Sequence, residues 1–60
     1  MRVALVGSLP AGTLFVTRLT GRPGSVRVQG WPGTVVKFED RAQEQEIAAL
    51  TQVDVMERIH

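Results

Sequence analysis

The stretch Thr34-Val35-Val36-Lys37-Phe38-Glu39-Asp40-Arg41-Ala42-Gln43-Glu44-Gln45-Glu46-Ile47-Ala48-Ala49-Leu50-Thr51-Gln52 decides how the chain reads, because its pattern changes inside it. Up to Phe38 the spacing is that of a strand, with Val36 and Phe38 on one face and Val35 and Lys37 on the other. From Asp40 to Gln52 there is no Gly and no Pro, and the good helix formers Ala, Gln, Glu and Leu predominate. Asp40 is a natural N-cap, and Gln43 three residues on completes a variant of the capping box. Glu44 sits early, where the helix dipole favours an anion. Ile47 and Leu50, with Val53 a turn further on, make a thin apolar stripe. A helix of about 12 residues is marginal in isolation, so the pattern predicts one helix over about residues 40–52, laid on a sheet through that stripe.

Outward from this stretch, the N-terminal part reads as short strands between Gly and Pro breaks: Arg2 to Val6, Thr13 to Thr20, Ser25 to Trp31 and Thr34 to Phe38. In the third, Val26 and Val28 alternate with Ser25, Arg27 and Gln29, which turns Arg27 to solvent. In the second, Leu14 and Val16 oppose Phe15, Thr17 and Leu19, so both faces are apolar. Beyond the helix, Val53, Val55 and Ile59 alternate with Asp54, Met56 and Arg58 as a closing strand. The expected fold is α+β, a single domain over residues 1–60. A small antiparallel, partly barrel-like sheet of four or five short strands carries the one helix. Residues 1–38 form a basic β-rich part and residues 39–60 an acidic helix plus final strand.

Charge divides at the same place. Residues 1–38 hold five bases (Arg2, Arg18, Arg22, Arg27, Lys37) and no acid, a charge of +5. Residues 39–60 hold all six acids (Glu39, Asp40, Glu44, Glu46, Asp54, Glu57) against Arg41 and Arg58, a charge of −4, and the whole chain is +1. Such polarity speaks to partners more than to fold. A basic patch on one copy facing an acidic helix on the next would steer head-to-tail association. A chain of 60 residues buries only about 60% of the surface its unfolded form exposes. With no Cys for a disulfide and few metal ligands, a partner surface is the expected source of further stability. The absence of Cys fits a reducing compartment. The apolar run Val3 to Val6 meets Gly7 and Pro10 too early for a secretory leader, and no segment approaches about 20 apolar residues, so neither a classical leader nor a membrane span is expected.

Motifs for chemistry are sparse. Gly7-Ser8-Leu9-Pro10-Ala11-Gly12-Thr13 has the outer glycine spacing of a phosphate-binding loop. Thr13 stands where that motif needs Lys, and Leu14-Phe15-Val16 continues as strand where a helix N-terminus is required. His60 is the last residue, Ser8 and Ser25 lie in turns, and Glu44 and Glu46 are two apart on the expected helix and do not face each other. No catalytic, metal or cofactor residues are assigned, and the chain is expected not to be an enzyme. Arg18, Arg22, Arg27 and Lys37, on a β-rich unit with Trp31 and Phe15, are the residues that would contact nucleic acid or an acidic surface. Trp31, Phe15 and Met56 are the residues expected at a protein interface; Trp31, in the turn Trp31-Pro32-Gly33, reads equally as a docking residue and as a side chain folded back to cap a core short of aromatics.

Residues 33–60 also carry a resemblance. Gly33-Thr34-Val35-Val36-Lys37-Phe38, a short polar link into Glu46-Ile47-Ala48-Ala49-Leu50, then Val53-Asp54-Val55-Met56-Glu57-Arg58-Ile59 resembles small tailed-phage virion proteins of the head and head-to-tail joining class. In those a strand ending in an aromatic leads to a helix with an Ala-Leu pair and a closing strand. The resemblance implies a capsid decoration, cement or connector component of a virion assembled in the host cytoplasm, without catalytic residues. The expected function is therefore non-enzymatic and structural, with copies of the chain or other virion proteins as partners. The alternatives are a cytoplasmic nucleic-acid-binding module using the basic half, and a small inhibitor or regulator that presents its acidic helix to a partner protein.

Overall fold

The computed structural model describes residues 2–56. Six strands run through them: β1 (Arg2–Leu5), β2 (Leu14–Thr17), β3 (Pro23–Val28), β4 (Gly33–Phe38), β5 (Gln45–Ala48) and β6 (Gln52–Val55), with one turn of 3-10 helix at Val6–Ser8. All pair antiparallel in a single sheet of order β1-β6-β2-β3-β4-β5. The sheet is rolled for a simple reason. β5 and β6 lie four strand positions apart, about 19 Å in a flat sheet at about 4.8 Å per strand. Yet they are joined by a turn in which the Thr51 N–H donates to the Ala48 carbonyl at 2.9 Å, and such a turn spans under about 7 Å. The sheet must curl until its ends meet, and overall extents of 28 × 23 × 23 Å agree with a rolled body rather than a plate. Three backbone hydrogen bonds secure the seam: Val6 N–H to Thr51 at 2.9 Å, Gly7 N–H to Ala49 at 2.9 Å and Ala49 N–H to Pro32 at 2.8 Å.

The helix expected over residues 40–52 is absent, and with it the α+β class: the described residues form a nearly all-β sheet with no α-helix. Gln45–Ala48 instead folds back as a hairpin on β4, setting Ile47 opposite Thr34 and Glu46 opposite Val35. The physical reason is a difference of scale. Helix propensity separates these residue types by no more than about 0.7 kcal/mol each. The hairpin, by contrast, satisfies the free edge of β4 and delivers Ala49, Val53 and Val55 to the interior. The predicted stripe also comes apart, since Ile47 is partly buried, Val53 is buried and Leu50 stands in the turn at 67% exposure. Strands observed at Leu14–Thr17 and Pro23–Val28 are shifted from the expected Thr13 to Thr20 and Ser25 to Trp31. The closing strand is Gln52–Val55, and the part expected from Glu57 to Ile59, like His60, lies outside the described residues. The regulator reading that needed an acidic helix loses its basis here.

Val6, Leu9, Phe15, Val26, Val36, Phe38, Val53 and Val55 form the core, with Ala4 and Ile47 packed against it. At its centre Phe15 and Phe38 meet edge to face, with centroids 6.0 Å apart and planes at 81°. Gly24 is paired with both rings across the sheet, Phe15 on β2 and Phe38 on β4. A Cβ at position 24 would come within 3.0 Å of the Phe15 ring and 3.2 Å of the Phe38 ring, so the glycine leaves the space the aromatic pair occupies. The buried Thr34 donates its hydroxyl hydrogen to the Gly30 carbonyl at 2.9 Å, which satisfies the one buried polar side chain among the described residues.

Candidate interaction surface

The charges segregated along the chain come together in the fold. Arg22 donates to Asp40 at 3.0 Å, Arg27 donates to Glu44 at 3.0 Å, and Arg18 lies 3.7 Å from Asp54. Lys37 donates its ammonium hydrogen to the Arg41 carbonyl at 2.9 Å. Each pair joins a base of residues 1–38 to residues 39–56 of the same molecule, so the polarity expected to link one copy to the next is largely neutralised within one copy. Arg22 has a second role, because its guanidinium carbon sits 4.0 Å from the centroid of the buried Phe38 ring and caps the core there. Of the four residues proposed for nucleic acid, Arg18, Arg22 and Arg27 therefore each face a carboxylate, and Lys37 a backbone carbonyl.

The Arg22–Asp40 contact carries a pH signature. The hydrogen bond from Arg22 holds the Asp40 carboxyl below the usual aspartate range, against the opposing effect of desolvation and with help from the Arg22 charge. A carboxyl whose pKa is depressed on folding stabilises the protein above its unfolded value of about 4 and loses that contribution as the pH falls through the lower folded value. Melting temperature measured from pH 7 to pH 2 is expected to fall less steeply below about pH 4 in Asp40→Asn than in the wild type; identical acid slopes would show the pair to be without thermodynamic effect.

The glycine-bounded loop of residues 7–13 turns its donors inward. The Gly7 N–H goes to Ala49, the Leu9 N–H to Val6, the Gly12 N–H to Val26 at 2.7 Å and the Thr13 N–H to Pro10. The Ser8 hydroxyl donates to the Leu5 carbonyl at 2.7 Å. The loop is a strand connection in which Gly12, at φ +92°, takes a conformation suited to glycine.

Of the residues expected at a protein interface, Phe15 is wholly buried and is a core residue: it faces the same way as Val55 and Gly24, which pair with it. Trp31 is 57% exposed and Met56 45% exposed. Trp31 does two things at once, since its ring lies on Gly7, where a Cβ would sit 3.0 Å from Cε2, while its outer face meets solvent.

The larger apolar surface was not legible in the sequence. Leu19 is fully exposed at the tip of the β2–β3 turn. That turn is firmly tied: the Gly21 N–H donates to Thr17 at 2.9 Å, the Thr17 N–H to Arg22 at 3.0 Å, and the Arg22 N–H to the Thr17 hydroxyl at 2.9 Å. Leu50, at the tip of the β5–β6 turn, lines the same open groove of about 620 Å³ together with Leu19, Thr17, Arg18, Thr20, Thr51 and Gln52. From this groove an apolar strip continues along the outer face of β2, β6 and β1. Val55 and Phe15 point inward, so their neighbours Asp54 and Val16 point outward, and Val3 stands beside Asp54 on β1. Past them the Met56 N–H donates to Leu14 at 3.0 Å, placing these two side by side on the same face. The strip thus holds Leu19, Leu50, Val3, Val16, Leu14 and Met56 around the Arg18–Asp54 pair. A signal did exist for one end of it: Thr20-Gly21 directly after Leu19 marks a turn rather than continued strand.

Among the described residues no helix is long and apolar enough to cross a membrane. Comparison with protein-family models, with curated proteins and with solved structures returned no match for this chain.

Proposed function

We propose that the chain is a non-enzymatic protein-interaction module of a larger assembly, docking through the strip that runs from the Leu19–Leu50 groove to Met56. The observation that supports this most is Leu19, 100% exposed on a turn tied by its own hydrogen bonds and sharing a groove with Leu50 at 67% exposure. Single exposed apolar residues are ordinary, but a contiguous run of them on a small body marks a contact site. Side chains on pre-ordered turns lose little freedom on docking, which is what a binding anchor requires. A phage particle is the assembly that the resemblance of residues 33–60 implies, with the chain as a decoration, cement or connector component. The helix in that resemblance is replaced by the β4–β5 hairpin, so the proposal stands on the surface and not on the resemblance. Nucleic-acid binding is the weaker reading, because Arg18, Arg22 and Arg27 each already face a carboxylate.

The test is position-specific cross-linking. Benzoylphenylalanine at position 19 or 50, with position 43 as control, is irradiated in extract of the source organism. Discrete adducts are expected at 19 and 50 and not at 43. Excess wild-type chain should displace them where the partner is another protein, or be captured in them where the partner is a second copy, whereas excess of the Leu19→Asp, Leu50→Asp double variant should do neither. Absence of adducts at 19 and 50, or an equal effect of both chains, would refute the proposal.

A further inference from the structure

Resting on that reading of the strip, we infer that its partner is a second copy of this chain, packed outer face to outer face about a two-fold axis so that Arg18 of each copy meets Asp54 of the other. The first support is the charge content of the strip. Apolar side chains surround one cation and one anion, and these stand 3.7 Å apart, against 3.0 Å for Arg22–Asp40 and for Arg27–Glu44. An acidic partner would press a like charge on Asp54 and a basic one would do the same to Arg18. A two-fold copy instead presents each charge to its opposite, because an isologous contact needs a surface complementary to itself.

The second support is geometric. Asp54 lies on β6 between Val3 of β1 and Val16 of β2, both directly paired with it. Asp54 is therefore flanked by apolar residues on both sides, on a face that a second sheet could cover at about 10 Å. The third is size. A core cluster of eight buried side chains among the described residues, in a chain of 60 residues with no Cys, leaves a small domain that gains from covering more apolar area.

Charge reversal tests this with the full chain. Sedimentation equilibrium should show a concentration-dependent dimer for the wild type. Arg18→Asp brings two aspartates together at both symmetric contacts, and Asp54→Arg two arginines, so each variant alone should raise the dimer dissociation constant by about tenfold or more. Mixing the two variants should restore a dimer that contains one chain of each. At one contact the aspartate introduced at position 18 then faces the arginine introduced at position 54, and at the other the native Arg18 and Asp54 face each other. An ion pair acting only within one molecule cannot produce this rescue. Isotope-filtered NMR on the wild type, with intermolecular contacts expected at the Val3 and Val16 methyls, gives a reading that does not depend on either variant folding. A wild-type chain that stays monomeric at millimolar concentration, or variants that fail to pair on mixing, would overturn the inference. In that event competed cross-links at positions 19 and 50 to a protein of different mass would leave the docking surface standing with another partner, and their absence as well would remove both.

Discussion

Phe15→Ala is expected to leave the chain without a cooperative unfolding transition at neutral pH, or with a melting temperature lowered by more than about 12 °C. Phe15 is wholly buried and makes the edge-to-face contact with Phe38 on which Gly24 also closes. Removing a buried aromatic costs about 3–5 kcal/mol. Total stability at about 0.05–0.15 kcal/mol per residue comes to only about 3–9 kcal/mol for a chain of this size, and in small domains each kcal/mol moves the midpoint by about 4–8 °C. Phe15→Leu, which keeps most of the volume, should retain the transition. Thermal melts followed by circular dichroism decide the matter: a shift below about 5 °C for Phe15→Ala would mean that Phe15 does not anchor the core. The substitution also separates two roles for this residue. An interface aromatic would weaken assembly and spare the fold, whereas a core aromatic does the reverse.

The second large effect is expected at the seam. In Gly7→Ala the new methyl would collide with the Cβ of Ala49 and lie 3.0 Å from Trp31 and 3.1 Å from the Ala49 Cα. None of these neighbours is the loose end of a flexible chain, so the backbone must move and the hydrogen bond from Gly7 to Ala49 is strained or lost. Overpacking of this kind costs about 1–3 kcal/mol, occasionally more. The diagnostic is the double variant Gly7→Ala, Ala49→Gly, which removes the colliding methyl. It should be more stable than Gly7→Ala alone, with a coupling of about 0.5–3 kcal/mol between the two sites in urea titrations. Additive effects would show that the two strand ends do not touch as described.

These effects fall on residues that the sequence treats very differently. Alternation in Val36 to Phe38, with Gly before it, is enough to read β4 and its inward face, because period 2 reports which side chains are hidden; in β3 it gives Val26 inward but fails at Val28, which stands 58% exposed past a register shift between the two. Trp31 and Met56 stand 57% and 45% exposed, and the turn at Pro32 gives a local reason for the first. Phe15 is misplaced because β2 is apolar on both faces, and local pattern does not say which face the rest of the chain will cover. Leu19 and Leu50 escape notice for a related reason. Local pattern puts each on a regular face, of a strand and of a helix, whereas each stands at the tip of a turn defined by hydrogen bonds between residues three or four positions apart.

Residue spacing and turn chemistry, which act over a few positions, are enough for an antiparallel, turn-rich sheet with a charge boundary near Phe38. That residues 45–48 are a strand and that the two charge groups meet within one molecule follow from long-range packing. Helix propensities in that segment are weak and sum slowly. Pairing with β4 and closure of the seam by Ala49 are long-range contacts, formed only when the sheet rolls, and no local preference encodes them.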